Sequence, residues 1–228
     1  MVRSRAESPP WQPTAEWRQR SYYGNRRSEM LPFLPRSPRL LLDVGCGRGA
    51  FGSNVKQTLG CRVWGIELNR DAARLATARL DRVINADMHV AFAQLPAGHF
   101  DCIVFNDILE HLTDPYTAIV NAKRLLGPGG VVVASLPNVR HAPVVWDLLW
   151  RGRWDYADAG VLDRTHLRFF TKVTVRALFE NHGYRVHRLE GINSMVESRL
   201  ARLAVRVAPP RFRDMQFMQF AVVAEPRG

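Results

Sequence analysis

Residues 40–49 read Leu-Leu-Leu-Asp-Val-Gly-Cys-Gly-Arg-Gly, an apolar run that ends in glycines at alternate positions. Glycine lets the backbone bend sharply and bring its N–H groups close to a ligand, and the N-terminus of a following helix adds a positive dipole. The stretch therefore predicts a buried strand, a tight loop and a helix that cradle a nucleotide-type cofactor. The loop alone leaves the cofactor open, because residues 47–52 also match the G-x-G-x-x-G fingerprint of dinucleotide-binding proteins.

From residue 39 onward, apolar runs of strand length alternate with amphipathic stretches, which is the pattern of a parallel sheet with crossover helices. The predicted strands cover residues 40–44, 62–66, 82–85, 100–105, 131–136, 184–189 and 217–224. Helices are predicted over 69–80, 115–126 and 173–182, with Asn69, Asp114 and Thr171 at or next to their first turns. Residues 140–170, which are rich in Trp and Arg, are predicted to be irregular. The chain from 39 to 228 therefore reads as one doubly wound α/β domain.

The composition is that of an ordinary globular protein. Of 228 residues, 46% are hydrophobic and 23% charged, and there is no run of 18 apolar residues that would predict a membrane span. No apolar signal segment is visible near the start, and the three cysteines form no C-x-x-C pair, which is typical of a reducing compartment. We expect a cytoplasmic protein without a membrane span.

The positive charge lies mostly in the two ends of the chain. The formal net charge is +11, and residues 1–39 carry eight arginines against three glutamates. Residues 1–38 read as a basic lead-in, rich in Pro, Trp and Tyr, with a short helix around 28–33. A solvated basic surface explains this charge more simply than a nucleic-acid-binding face, although RNA stays an alternative partner.

Acidic residues follow three successive predicted strands and narrow the choice of cofactor. Asp43 precedes the first glycine, where its carboxylate would attract an ammonium group and repel a pyrophosphate. Glu67 ends the second strand, where it can accept hydrogen bonds from ribose hydroxyls. Asp87 and Met88 follow the third strand and offer an acceptor for an adenine amine and an apolar face for its ring. The three acids together predict a crevice for a cationic, adenosine-like ligand.

At these motifs the chain resembles the class I S-adenosylmethionine (SAM)-dependent methyltransferases over roughly residues 40–190. The matching blocks are residues 43–49, 65–68, 87–88, 100–105, 109–112 and 125–130. The resemblance implies a Rossmann-like, doubly wound, seven-stranded and mainly parallel sheet whose last strand is antiparallel. It also implies that SAM is the cofactor and binds at the glycine loop, near Glu67 and Asp87. The implied cofactor-binding residues are Asp43, Gly45, Cys46, Gly47, Gly49, Glu67, Leu68, Asp87, Met88 and Asn106.

A second group of residues follows the fourth strand. On a helical turn, Asp107, Glu110 and His111 would share one face near the mouth of the crevice. With the distant His166 they resemble the E-x-x-E-H motif and metal-binding histidine of small-RNA 2′-O-methyltransferases, and ubiquinone-pathway O-methyltransferases are similar around this motif. Here Asp107 replaces the first Glu. Three interpretations stay open: a site for Mg²⁺ or Mn²⁺, a metal-free base at His111 or His166, or a structural role. His111, His166 and Asp107 are the candidate catalytic residues.

The segment after the fifth strand is where this architecture places substrate contacts. Residues 137–141 are followed by tryptophans and arginines, which suit a sugar, a phosphate-bearing acceptor or a stacked base, or else form a lid over the sheet edge. Residues 152–156 and 163–171 resemble bacterial methyltransferases of surface-polysaccharide and glycosyl-transfer pathways.

The function predicted from these features is transfer of a methyl group from SAM to a hydroxyl, less readily an amine, of a small-molecule or saccharide acceptor. The alternatives are an RNA 2′-O-methyltransferase, an NAD-dependent oxidoreductase on the same glycine loop, and a SAM-binding module without activity. The pattern does not predict an oligomeric state.

Overall fold

The computed structural model describes residues 25–196 and 209–227 as a seven-stranded sheet flanked by helices. The strands are β1 (Leu40–Val44), β2 (Arg62–Glu67), β3 (Arg82–Asn85), β4 (Phe100–Asn106), β5 (Leu126–Pro137), β6 (Tyr184–Ser194) and β7 (Phe217–Pro226). The α-helices are α1 (Ala50–Leu59), α2 (Arg70–Ala76), α3 (Met88–Gln94), α4 (Pro115–Leu125), α5 (Ala142–Arg151) and α6 (Lys172–Glu180). Three 3₁₀ helices cover Ser28–Phe33, Leu109–His111 and Pro210–Gln216. Residues 1–24 of the predicted lead-in lie outside the described residues.

The order of strands across the sheet is β3-β2-β1-β4-β5-β7-β6. Neighbouring strands among β1 to β5 pair in parallel, whereas β7 lies between β5 and β6 and pairs with both in the antiparallel direction. The predicted fold class is therefore confirmed. Because β1 and β4 are neighbours and the chain leaves them in opposite directions across the sheet, a crevice forms at their carboxyl ends, as is general for doubly wound sheets.

The central strands are buried on both faces. All five residues of β1 are buried, and two apolar clusters pack on the opposite faces of the sheet. This burial explains the nearly continuous apolar runs in the sequence, which are typical of parallel strands covered by helices. The rigid sheet fixes the positions of the polar residues that follow its strands.

Three of the predicted helices have an N-cap residue whose side chain accepts hydrogen bonds from their first turn. Asn69 accepts hydrogen bonds from the N–H groups of Asp71 and Ala72, and Asp114 and Thr171 cap α4 and α6 in the same way. Helix α2 ends at Ala76, earlier than the predicted residue 80. Residues 77–80 form a turn instead, which places Leu80 in the core.

Other elements also differ from the sequence-based expectation. Strand β6 extends to Ser194 rather than to residue 189. Helix α3, which was not predicted, begins at Met88, shortly after β3. Helix α5 lies inside the segment predicted to be irregular. Pro143 does not prevent this helix, because it occupies the first turn, where proline is tolerated. Strand β5 begins at Leu126 rather than 131, because an irregularity in its register with β4 accommodates residues 127–130. In the part of the chain described here, no helix combines the length and apolarity needed to span a bilayer.

Candidate active site

A cavity of about 500 Å³ opens at the carboxyl ends of β1, β2 and β4. Its walls contain nine of the ten residues predicted to bind the cofactor, namely Asp43, Gly45, Cys46, Gly47, Glu67, Leu68, Asp87, Met88 and Asn106. Gly49 lies beside it at the N-terminus of α1. The sheet therefore brings together residues that are up to 63 positions apart in sequence.

The glycine loop owes its shape to backbone conformations that favour glycine. Gly45, Gly47 and Gly49 have φ angles of 72°, 54° and 76°, all in the left-handed region. Gly45 also allows a close approach, because a Cβ atom there would lie 2.1 Å from Cδ1 of Ile108. The loop can therefore pack beneath the segment that follows β4 and still turn its backbone towards the cavity.

Asp43 lies on the cavity wall and is almost completely buried. Its Oδ2 atom has no hydrogen-bond partner among the described residues. Burial, with the nearby charge of Glu67 as the second cause, raises the pKa of Asp43 to about 8. A cationic group in the cavity would supply the missing partner and favour the ionised carboxylate.

Glu67 already stabilises the loop that it faces. Its Oε2 accepts a hydrogen bond of 2.8 Å from the Gly47 N–H, and its Oε1 accepts one of 2.8 Å from the Asn69 N–H. A carboxylate has about four lone-pair positions, so both oxygens can still accept from a diol. Glu67 thus both shapes the glycine loop and offers acceptors to the cavity.

The adenine-side residues have structural roles as well. Asp87 caps α3 by accepting a hydrogen bond of 2.8 Å from the His89 N–H. Met88 is buried in the core beneath the cavity, while Leu68 is 71% exposed at its rim. These two apolar side chains can cover a planar ring, and the free carboxylate oxygen of Asp87 can accept from an amine.

Asn106, the last residue of β4, also lines the cavity. Its Nδ2 and Oδ1 atoms are buried, and neither has a hydrogen-bond partner within residues 25–196 and 209–227. Buried polar groups are normally paired in native proteins. Asn106 and Asp43 together therefore indicate a polar ligand with both donor and acceptor groups.

Asp107 does not share a helical turn with Glu110 and His111, although its charge still acts on both of them. Its φ angle is 53°, and a 3₁₀ turn begins only at Leu109, so the predicted spacing does not apply. The Asp107 carboxylate turns instead to the Arg27 guanidinium, with which it forms an ion pair. The sequence gives no signal for this pair, because the two residues are 80 positions apart.

Glu110, His111 and His166 form a compact cluster without Asp107. One ligand atom of each lies within 4.8 Å of the others, and His166 Nε2 is 4.0 Å from Glu110 Oε1. Glu110 is completely buried, and neither of its carboxylate oxygens has a hydrogen-bond partner among the residues described. Burial is the main cause that raises the pKa of Glu110 well above its ordinary value, and burial also lowers the pKa of His111.

The backbone determines which nitrogen of each histidine carries its hydrogen. His111 Nδ1 lies 3.2 Å from the Thr165 carbonyl oxygen, and His166 Nδ1 lies 3.0 Å from the Val161 carbonyl oxygen. A carbonyl oxygen only accepts, so each Nδ1 is the donor and each neutral ring keeps its lone pair on Nε2. Two such imidazoles next to an unpartnered carboxylate form a donor set that suits a divalent transition metal.

The Trp- and Arg-rich segment divides into packed and exposed parts. Trp154 packs edge-on against Phe169, with ring centroids 5.4 Å apart. Trp146 and Trp150 on α5 are 57% and 69% exposed. Arg153 and Arg164 form ion pairs with Asp residues of the same segment. The segment is thus only partly a packed lid.

The chain is similar to known methyltransferases in sequence. The profile of a family described as "Methyltransferase domain" matches residues 15–189. A ubiquinone biosynthesis O-methyltransferase of Psychrobacter cryohalolentis is 33% identical over 133 residues, which are 51% of each chain. The enzyme of the same name from Aromatoleum aromaticum is 33% identical over 51% of this chain and 55% of its own. The chain spans about half the length of these curated relatives.

The fold is shared with solved structures as well. A SAM-dependent methyltransferase from Archaeoglobus fulgidus superposes with a TM-score of 0.68 over 90% of this chain and 96% of its own. The two sequences are 18% identical, so this likeness concerns the fold alone.

Proposed function

Because the chain belongs to the family of SAM-dependent methyltransferases with a class I fold, we propose that it transfers a methyl group to a hydroxyl oxygen of a small-molecule acceptor. The main support is Asp43, a buried carboxyl group on the cavity wall, where a cationic cofactor would bind. One of its oxygens has no hydrogen-bond partner in the part of the chain that the structure describes. The choice of oxygen rests on relatives that are named O-methyltransferases. Membership of this family sets aside the NAD-dependent alternative.

Different residues of the cavity suit different parts of the cofactor. When bound, SAM supplies an electrophilic methyl group on a positively charged sulfur. Asp43 and Asn106 are suited to the amino-acid end, Glu67 to the ribose, and Asp87 with Met88 to the adenine. Catalysis by these residues consists chiefly of holding the cofactor in a fixed orientation towards the acceptor.

His111 is the residue we propose to act on the acceptor. It lines the cavity, whereas Asp107 is engaged by Arg27. With its hydrogen held on Nδ1 by the Thr165 carbonyl, His111 presents a basic Nε2 that can take a proton from a hydroxyl group as the oxygen is methylated. His166, buried behind it, would orient His111 through the contact between their rings, whose centroids are 4.8 Å apart.

Glu110, His111 and His166 are also a candidate site for a divalent metal. The unpartnered carboxylate and the two Nε2 lone pairs fit such an ion, and two imidazole ligands favour Mn²⁺ over Mg²⁺. A metal there would lower the pKa of a nearby acceptor hydroxyl. The predicted fourth ligand, Asp107, is not part of this cluster.

Calorimetric titration with S-adenosylhomocysteine, the product form of the cofactor, tests the proposal first. Chelator-treated protein should bind it, NAD should produce no binding signal, and Asp43→Ala should weaken the affinity severely. Asp71→Ala, which removes an exposed acid on α2, is the matched control and should bind as the wild type does. Binding of NAD but not of S-adenosylhomocysteine would refute the assignment. Repeating the titration with Mn²⁺ shows whether the metal contributes.

The acceptor class is then tested by methyl transfer from labelled SAM. Phenolic small molecules, saccharides and RNA should be offered in parallel, and we expect label in the hydroxylated small molecules or saccharides. His111→Ala should lower turnover while the affinity for S-adenosylhomocysteine is retained, and His187→Ala on the exposed edge of β6 is its control. Labelling of RNA alone, with binding that weakens steeply as salt rises, would favour the RNA alternative.

A further inference from the structure

Arg27 reaches the cavity from the segment that precedes the sheet. Only 9% of the residue is exposed, and it lines the cavity together with Asp107. Its guanidinium forms the ion pair with Asp107, and its second terminal nitrogen donates a hydrogen bond of 2.9 Å to Ser135 Oγ on β5. A buried guanidinium is costly unless it is paired in this way. A further ion pair joins Arg27 Nε to Glu29 Oε1 of its own segment at 3.0 Å. The position of Arg27 across the cavity therefore depends on its partners at the ends of β4 and β5, while Glu29 ties it to the segment that carries it.

Asp107 forms further hydrogen bonds with two residues, Ser135 and Gln219. Its Oδ1 accepts hydrogen bonds of 2.8 Å from both Ser135 Oγ and Gln219 Nε2 on β7, and Gln219 in turn accepts one of 2.7 Å from Asn193 on β6. Its backbone N–H lies 3.1 Å from Ser135 Oγ. These contacts offset the strain of a non-glycine residue with a positive φ angle. Both carboxylate oxygens are thus engaged, which leaves Asp107 poorly suited to act as a base.

The conformation of Asp107 affects both halves of the site. The next residue, Ile108, packs against Gly45 of the cofactor loop. The 3₁₀ turn that carries Glu110 and His111 begins one residue later. A change at Asp107 would therefore shift the loop that binds the cofactor and the turn that faces the acceptor.

We infer that Arg27 is a positioning residue, which holds Asp107 in its left-handed conformation. It thereby keeps the cofactor loop and the Leu109–His111 turn in their positions relative to each other. This inference rests on the proposed function for its role in catalysis, but its structural part can be tested without activity. It also gives Asp107 a positioning role in place of the catalytic or metal-binding role predicted from the sequence.

The first test compares Arg27→Ala with Arg26→Ala by calorimetric titration with S-adenosylhomocysteine. Both arginines anchor the same segment, but Arg26 bonds to Asn54 and Gln57 on α1 and does not line the cavity. We expect Arg27→Ala to weaken binding about tenfold, within the range typical of residues that act through a neighbour. Arg26→Ala should leave binding unchanged, and Arg27→Lys should restore part of the loss. Equal losses in the two alanine variants would mean that Arg27 only anchors the segment, and would overturn the inference.

The second test is hydrogen–deuterium exchange without any ligand. Arg27→Ala should speed exchange of the amides of residues 107–112, and Arg26→Ala should not. The affinity of the double variant Arg27→Ala/Asp107→Asn for S-adenosylhomocysteine should equal that of whichever single variant binds less tightly, because both changes break the same contact. Unchanged exchange over 107–112, or losses that multiply in the double variant, would overturn the inference. If the wild type itself fails to bind, the proposed function fails, while the exchange comparison still tests the role of Arg27.

Discussion

Asp43 shows how burial can prepare a single carboxyl group for a charged ligand. With a pKa raised to about 8 by burial and by Glu67, most copies of this group carry a proton at pH 7 in the free protein. An ammonium group binds the ionised form better, so binding at neutral pH must expel that proton. The side chain therefore couples ligand affinity to pH.

The affinity for S-adenosylhomocysteine should accordingly rise with pH up to about 8, the pH at which Asp43 ionises in the protein without ligand. Below that pH, we expect a gain of up to about tenfold per pH unit, since each ligand bound releases one proton. Calorimetry in two buffers with different ionisation enthalpies would measure the release directly. Asp43→Asn should abolish the release and flatten the pH profile, and a profile unaffected by this substitution would contradict the role of Asp43.

Individual residues differ in how far the sequence reveals them. Asp43, Glu67 and Asp87 could be predicted because each lies at or just after the carboxyl end of a recognisable strand, so its place at the edge of the sheet is determined by local pattern. Arg27 could not, since its partner Asp107 is brought to it only by the folded sheet. Asp107 itself was placed on a helical turn, and the positive φ angle that prevents this arises from long-range hydrogen bonds.

The glycine loop and the segment after β4 act as two elements in close contact. Gly45→Ala would combine an unfavourable φ angle with a Cβ atom 2.1 Å from Ile108 Cδ1. We expect a loss of about 1–3 kcal/mol in the free energy of unfolding, together with weaker binding of S-adenosylhomocysteine. Chemical denaturation and calorimetry measure the two effects.

Gly98→Ala is the matched control for this prediction. Gly98 has a similar φ angle of 64°, but a Cβ atom there would meet nothing within 4 Å. It should cost about 1 kcal/mol from backbone strain alone and leave ligand binding intact. Equal effects at the two positions would show that contact with Ile108 is unimportant. Adding Ile108→Ala to Gly45→Ala should recover part of the lost stability.

Elements with strong local signals were the ones the sequence predicted well. Strands β1 and β3 have the predicted bounds, and Asn69, Asp114 and Thr171 cap helices as expected. Helix α5 was missed because none of its residues is fully buried: apolar side chains such as Leu149 and Trp150 are more than half exposed, so they do not mark a face that packs on the core. Helix α3 is only seven residues long, which gives periodicity little room to appear.

The protein as a unit should become more stable when the cofactor site is filled. A ligand present at about 100 times its dissociation constant adds about 2.7 kcal/mol to the free energy of unfolding. For a domain of this size, that corresponds to a rise of about 5–10 °C in Tm. Differential scanning fluorimetry with S-adenosylhomocysteine should show such a rise, and NAD at the same concentration should not. A shift with both or with neither would contradict the site described here.

The alternation of strands and helices predicted the doubly wound class, and the resemblance to known methyltransferases implied an antiparallel last strand. Neither specified that Gln219 of this strand would reach Asp107, because that contact depends on the register between β7 and β5. Such cross-sheet contacts arise from packing and leave no periodic trace in the sequence.

The position of β7 between β5 and β6 has a consequence for synthesis on the ribosome. The glycine loop, the three acids and the histidine cluster have all been translated by residue 166. Strands β5 and β6 nevertheless lack their common neighbour until residues 217–226 emerge and insert between them. Until then the nascent chain exposes two unpaired strand edges, and Asp107 lacks its hydrogen bond from Gln219. A ribosome that stalls before this strand would therefore hold a chain with nearly every site residue in place but with an open, aggregation-prone sheet.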